Sequence, residues 1–272
     1  MSAANVAKAL QRKASALLCG NRIVFHHVPK CGGTSVGRAL RLSYFLSQGT
    51  VTPIESDKAF QAVKESKSPR VVGHVSDLRE MMLLYMLYSD VRCVAAHIPF
   101  SDAAFDRFAS SYAFVTLLRH PVDRFISNYL WSHKHPEGVQ YVPESLEEFV
   151  GTDRAKRLGS TYARYFCGEP EQETFTADHS NAAIRNLKQM QLVGFLDEME
   201  SFESGLRAIT GCRLKIGKEN VGNTSKARED ILDGPLGAKV LASCSIDLQI
   251  WEGVQDLRSR PAPQRAVEPL RS

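Results

Sequence analysis

One stretch constrains this chain more than any other. Arg22–Val28 (RIVFHHV) is a β-branched and aromatic run that stops at Pro29, and Lys30-Cys31-Gly32-Gly33-Thr34-Ser35 follows it. From Thr34 to Phe45 the apolar residues Val36, Ala39, Leu40 and Leu42 recur at helical spacing. The order is strand, glycine loop, helix, and it recurs. Arg70–Val75 reads as a strand and Asp77–Tyr88 as a helix. Val91–Ala96 is a strand ending at His97, Asp102–Ser110 a helix, and Tyr112–Leu118 a strand ending at Arg119. Pro121, in the favoured first-turn position, opens a helix to about Trp131. Strands alternating with helices predict an α/β fold with a mainly parallel, doubly wound sheet. Beyond Trp131 the chain reads as mostly helical, with segments at Ser145–Val150, Thr161–Phe166, Asn181–Met190, Glu198–Ile209 and Gly237–Leu257.

With 272 residues, 43% hydrophobic and 24% charged, the chain has the profile of one substantial globular domain. We place it at residues 22–257, after a basic N-terminal arm over 1–21 that reads as an amphipathic helix. The tail at 258–272, with three prolines and four arginines, reads as disordered. No apolar run approaches the about eighteen residues of a membrane span; Met81–Tyr88 is far too short. The net charge of +4 does not argue for a nucleic-acid partner, but its placement is uneven. Lys8, Arg12, Lys13, Arg22, Lys30, Arg38 and Arg41 all precede the first carboxylate, Glu55. Such a stretch is a solvated basic surface, a transit peptide, or a field that attracts an anion. Six scattered cysteines without a C-x-x-C pair indicate neither a zinc site nor a dense disulfide framework, and a reducing cytoplasm is the default.

Four polar residues fall at or near the C-terminal ends of predicted strands: Lys30, His74, His97 and Arg119. Open parallel sheets bind ligands along that edge, so residues far apart in sequence can converge there. In the loop, glycines let the backbone approach a phosphate, and the following helix N-terminus offers unpaired N–H donors. The Thr34 and Ser35 hydroxyls add to these. Lys30 precedes both glycines, so this is not a Walker A loop, and no strand ends in a convincing Mg²⁺-binding carboxylate. A second motif, Leu118-Arg119-His120-Pro121-Val122-Asp123-Arg124-Phe125-Ile126-Ser127-Asn128-Tyr129, puts Val122, Phe125, Ile126, Tyr129 and Leu130 on a buried stripe and Arg124 and Ser127 on the opposite face. Arg119 and Ser127 can both reach an anion beside the sheet, for which the planar guanidinium is suited. A tight structural turn and a helix-capping arginine are the bland alternatives.

Together, FHHVPKCGGTS and VTLLRHPVDRFISNY resemble the two nucleotide motifs of the sulfotransferase superfamily that uses 3′-phosphoadenosine 5′-phosphosulfate (PAPS). The likeness is greatest to the carbohydrate branch of heparan and uronyl 2-O-sulfotransferases and their bacterial relatives. It runs from about Arg22 to Leu257, with weaker echoes at AAHIPF, LVGFLDEMESFESGL and KENVGNTSK. The resemblance implies that Lys30 holds the 5′-phosphate and the bridging oxygen as charge builds on the leaving group. Cys31, Gly32, Gly33, Thr34 and Ser35 would complete that cradle, and Arg119 and Ser127 would grip the 3′-phosphate. A late loop, Asn223–Lys226, would close over the nucleotide, and no metal is required. His97, where the family carries a GH-x-P-type histidine, would be the general base. His74 is its rival, and His26 and His27 pack or orient the loop.

The expected activity is sulfuryl transfer from PAPS to a carbohydrate hydroxyl by in-line displacement. A metal-dependent phosphoryl-transfer kinase and a non-catalytic nucleotide-binding module are the competing readings. Trp131 with His133, Lys134 and His135 would suit a polyanionic glycan, and would equally suit an ordinary exposed loop.

Overall fold

The computed structural model describes residues 20–65, 72–138, 140–169, 174–212, 214–217 and 225–260. Five strands form one parallel sheet: β1 (Arg22–His26), β2 (Gln48–Gly49), β3 (Cys93–Ala96), β4 (Tyr112–Leu118) and β5 (Leu192–Phe195), in the order β2-β3-β1-β4-β5. The α/β doubly wound expectation is met. β1 and β4 carry apolar residues toward both faces of the sheet, because both faces are covered. On one face Ile23, Phe25, Ala113, Val115 and Leu117 pack against α1 (Gly33–Ser43). On the other, Val24, Val94, Phe114, Leu118 and Phe195 join a core with residues of α3 (Val75–Tyr88) and α4 (Asp102–Phe108) and with Trp251, whose ring meets Phe195. The side chains alternate between faces with the period of two that a strand imposes.

The chain winds from β1 out to edge strand β2, returns to β3 beside β1, and then crosses to β4 on the other flank. Ligands bind open α/β sheets at such a reversal, outside the carboxyl ends of the strands. The loops after β1, β3 and β4, carrying Lys30, His97 and Arg119, lie at the ends of three adjacent strands.

The remaining helices are α2 (Pro53–Lys64), α5 (Pro121–Lys134), α6 (Leu146–Phe149), α7 (Asp153–Gly159), α8 (Thr161–Phe166), α9 (Ala177–Gln189), α10 (Met199–Thr210), α11 (Ser225–Leu232), α12 (Gly237–Ser243) and α13 (Ser245–Gly253). Several differ from the sequence reading. Of the strand expected at 70–75, residues 70 and 71 lie outside the described set. Val72 and Gly73 are irregular, His74 caps α3 and Val75 begins it. The His74 ring accepts from the Ser76 N–H at 3.2 Å while Asp77 accepts from the His74 N–H at 2.8 Å, a reciprocal cap that outweighs the β propensity of the valines. β5 was hidden in a stretch read as helical because it has only four residues, one of them Gly194. A Cβ there would meet the Phe202 ring of α10 at 2.1 Å.

The last helix, expected to be continuous over 237–257, breaks at Cys244 and Val254. Gln255–Ser259 then form a 3-10 turn, with Arg258 paired to Asp197 and Glu198 at 3.1 and 2.5 Å. The described structure therefore runs to residue 260, where Arg258 also stacks over Phe195. The expected N-terminal helix and residues 261–272 lie outside the described residues. Cys31, Cys93, Cys167 and Cys244 are free, whereas Cys212 is disulfide-bonded, a pairing that the cysteine spacing did not suggest.

Candidate active site

The loop after β1 departs from ordinary backbone geometry at the residue of most interest. Lys30 has a φ of 65°, in the left-handed region that L side chains avoid at a cost of about 1–2 kcal/mol. Gly32, at φ 79°, is the N-cap of α1. No side chain caps that helix and its first turn contains no acidic residue, so its N-terminal N–H groups and positive dipole end remain available to an anion. Gly33 has a packing reason as well: a Cβ there would meet the His27 ring at 2.2 Å.

The two residues expected to grip anions, Lys30 and Arg119, come together. The Arg119 guanidinium approaches the Lys30 carbonyl at 3.5 Å, and the Lys30 ammonium lies 5.0 Å from the centre of the Trp131 ring on α5. Lys30 has no ion-pair partner among the described residues. Burial, and then the neighbouring Arg119 charge, lower its pKa below the usual lysine value. Ser127, half-buried, lies two turns along α5 from the end of β4. Thr34 is exposed, whereas Ser35 and the Cys31 side chain turn inward and are buried. Cys31 can therefore offer a ligand its backbone only.

Arg124 corrects the sequence reading. Placed on the polar face with Ser127, it is in fact fully buried, 3.8 Å from the Asp247 carboxylate of α13, and it donates to the Leu158 carbonyl. The helical wheel could not show this because the surface that buries Arg124 is built by residues from about thirty-five to more than a hundred positions downstream. The late segment is seen in part: residues 218–224 lie outside the described set, and Ser225 and Lys226 open α11 instead of forming a loop. Arg228 of α11 is paired with Asp123 of α5, so this helix docks beside the Arg119 turn.

His97 follows β3, half-buried, with its ring stacked on His27 at 3.9 Å between centroids. Since His27 also touches Gly33, one stack links the glycine loop to His97. The His97 Nδ1 is buried with no hydrogen-bond partner among the described residues. Its pKa falls to about 4 through burial and the Arg79 and Arg41 charges, against a hydrogen bond to the His27 backbone that raises it. The ring is thus neutral at pH 7, as a proton acceptor must be. His74 is exposed and its Nδ1 is engaged in capping α3. Arg79 and Pro29 border a cavity of about 450 Å³ whose wall also includes His74, Asn128, Thr161 and Arg164. Sequence reasoning did not single out Arg79 or Arg164; neither belongs to a motif.

His26 carries a different consequence. It is fully buried, bonded through Nδ1 to the Ile98 carbonyl at 2.9 Å and packed against Phe114, and burial lowers its pKa to about 4. Because the folded pKa lies below the unfolded value of 6.5, the unfolded chain binds the proton more tightly. His26 therefore leaves stability unchanged above pH 6.5 and subtracts from it as the pH falls toward 4, by about 3 kcal/mol at pH 4. Urea unfolding of wild type and His26→Asn across pH 7 to 4.5 should show a shallower acid loss in the variant. Equal slopes would remove His26 as a source.

A family model described as the sulfotransferase family matches residues 20–201, about two thirds of the chain, including all five strands and both loop motifs. No curated protein matches the chain at a significant level.

Proposed function

The chain belongs to the sulfotransferase family, and from that premise we propose that it transfers the sulfuryl group of PAPS to a hydroxyl of a carbohydrate acceptor. The observation that carries this reading is the convergence of Lys30 and Arg119, from the ends of two adjacent strands, beside the uncapped N-terminus of α1. An adenosine carrying phosphate at both the 3′ and 5′ positions presents two anions to two cationic grips. The residues present fit such a donor: Lys30 has no carboxylate partner among the described residues, and α1 lacks the side-chain cap that would compete for its N–H groups.

In the mechanism we propose, Lys30 and the α1 N-terminus hold the 5′-phosphate end and offset the charge that grows on the bridging oxygen as the sulfur–oxygen bond breaks. Arg119 and Ser127 hold the 3′-phosphate. The acceptor approaches from the side of Pro29 and Arg79; neutral His97, which feels the Arg79 charge but does not itself line that cavity, takes the proton from its hydroxyl as the new sulfur–oxygen bond forms in line with the leaving group. No step calls for a metal. We propose a cytoplasmic setting; the Cys212 disulfide is the feature that points instead to an oxidising compartment.

Thermal-shift titration tests the donor. A marked rise in melting temperature with adenosine 3′,5′-bisphosphate and little with Mg-ATP is expected; the reverse result would favour a kinase. His97→Ala should retain the bisphosphate shift and lose about 10²–10⁴-fold in turnover. The acid limb of wild-type kcat/KM should lie near pH 4, where the free enzyme's His97 becomes protonated and can no longer accept. Full activity in the alanine variant would remove His97 as the base; an acid limb near pH 6.5 would instead show that the ring titrates like an ordinary histidine in the free enzyme.

A further inference from the structure

Tyr162 belongs to neither motif. It lies on α8, is fully buried, and its hydroxyl reaches both loops that the two motifs define. The Arg119 N–H donates to Tyr162 Oη at 2.9 Å and the Oη–H donates to the Arg119 carbonyl, so the phenol satisfies both backbone groups at the end of β4. The same oxygen lies 3.5 Å from the Cys31 Sγ, in the middle of the loop after β1. That thiol also faces the Pro29 carbonyl at 3.7 Å. One hydroxyl thus bridges two turns separated by almost ninety positions in sequence, and those turns carry Lys30 and Arg119.

The phenol is itself held from behind. Asp247 accepts from the Tyr162 N–H at 2.9 Å and from the Ala163 N–H at 3.1 Å. The Arg124 guanidinium lies 5.6 Å from the Tyr162 ring centre and pairs with the same carboxylate. Arg124 sits on α5 one turn before Ser127, so the bracket fixes the second grip's helix as well. A buried network in which these contacts are jointly made rigidifies the elements it joins.

Resting on the two-grip reading of the donor site, we infer that Tyr162 is a positioning residue that sets the separation between the 5′ and 3′ phosphate grips. It touches neither phosphate; it acts through the backbone of Arg119 and the thiol of Cys31. Such a role has a signature that general stabilisation lacks. A ligand with two phosphates gains from both grips only if their spacing is preset, in the way that linked binding sites raise effective concentration. A ligand with one phosphate uses one grip and is indifferent to that spacing.

The test is titration calorimetry on the full chain with adenosine 3′,5′-bisphosphate, adenosine 5′-monophosphate and adenosine 3′-monophosphate. Tyr162→Phe keeps the ring over Arg124 and removes only the hydroxyl. It is expected to weaken bisphosphate binding about tenfold while each monophosphate changes less than twofold. Cys31→Ala cuts the bridge at the other end and should show the same selective loss to a smaller degree, which keeps the inference testable if the phenylalanine chain folds poorly. Parallel weakening of all three ligands would make Tyr162 a merely structural residue and overturn the inference. Unchanged bisphosphate binding in both variants would do the same. If wild type itself binds the bisphosphate no better than the monophosphates, the two-grip reading fails first and the role of Tyr162 falls with it.

Discussion

Lys30→Ala is expected to slow sulfuryl transfer by about 10²–10³-fold, the usual effect of removing one preorganised donor from developing charge, with little change in thermal unfolding. The ammonium lacks an ion-pair partner among the described residues, and its pKa is lowered by burial and by the Arg119 charge. Its structural contribution is therefore confined to the contact with Trp131, worth about 0.5–1 kcal/mol. Lys30→Gly sharpens the point. Glycine adopts a φ of 65° without strain, so the backbone penalty at this position disappears, offset in part by the greater entropy of glycine in the unfolded chain. The glycine variant should be at least as stable as the alanine variant and equally inactive. Strain held at a residue that gives little stability in return points to function. A mass-spectrometric transfer assay beside thermal unfolding reads both quantities. A Lys30 variant that transfers at the wild-type rate would remove the lysine from the mechanism.

The second large effect concerns stability. Asp247→Ala should destabilise the fold by about 3–5 kcal/mol, because it leaves the fully buried Arg124 cation without its partner. It also strips the acceptor from the Tyr162 and Ala163 N–H groups at the start of α8. Burial pushes the Asp247 carboxyl up against the pull of Arg124 and of those two donors. The pair is therefore not a large net source of stability, and what is costly is breaking it. The double variant Arg124→Met/Asp247→Leu should recover most of the loss, since apolar groups of similar volume leave no uncompensated charge. Denaturant unfolding of the single and double variants measures both, and an Asp247→Ala chain as stable as wild type would show that Arg124 finds another partner.

Much of the scaffold was legible. β4 and the start of α5 matched residue for residue, because a seven-residue run rich in apolar and β-branched residues, followed by a proline at the first helical position, leaves few alternatives. The elements that escaped were short or polar. Gln48–Gly49 has no strand signature and is a strand only because β3 offers it an edge, and β5 is four residues long. His74 was misplaced for a related reason: a local side-chain cap decided between strand and helix where propensity pointed the other way. Within the site, Lys30, His97 and Arg119 were recognisable from their positions after apolar runs. Arg79 and Tyr162 were not, since neither belongs to a motif and only the folded chain brings each beside those residues.

The linear order of residues determined the class of fold, the strand–loop–helix punctuation and the types of side chain at the strand ends, because periodicity and turn chemistry are local properties of the chain. Only the tertiary structure decided that Lys30 and Arg119 share one edge of the sheet, that Arg124 is buried with Asp247, and that one phenol spans the two turns. Those facts depend on contacts between segments some forty to one hundred and thirty positions apart, and burial, which sets the charge state and the pairing of each group, exists only once those segments have met.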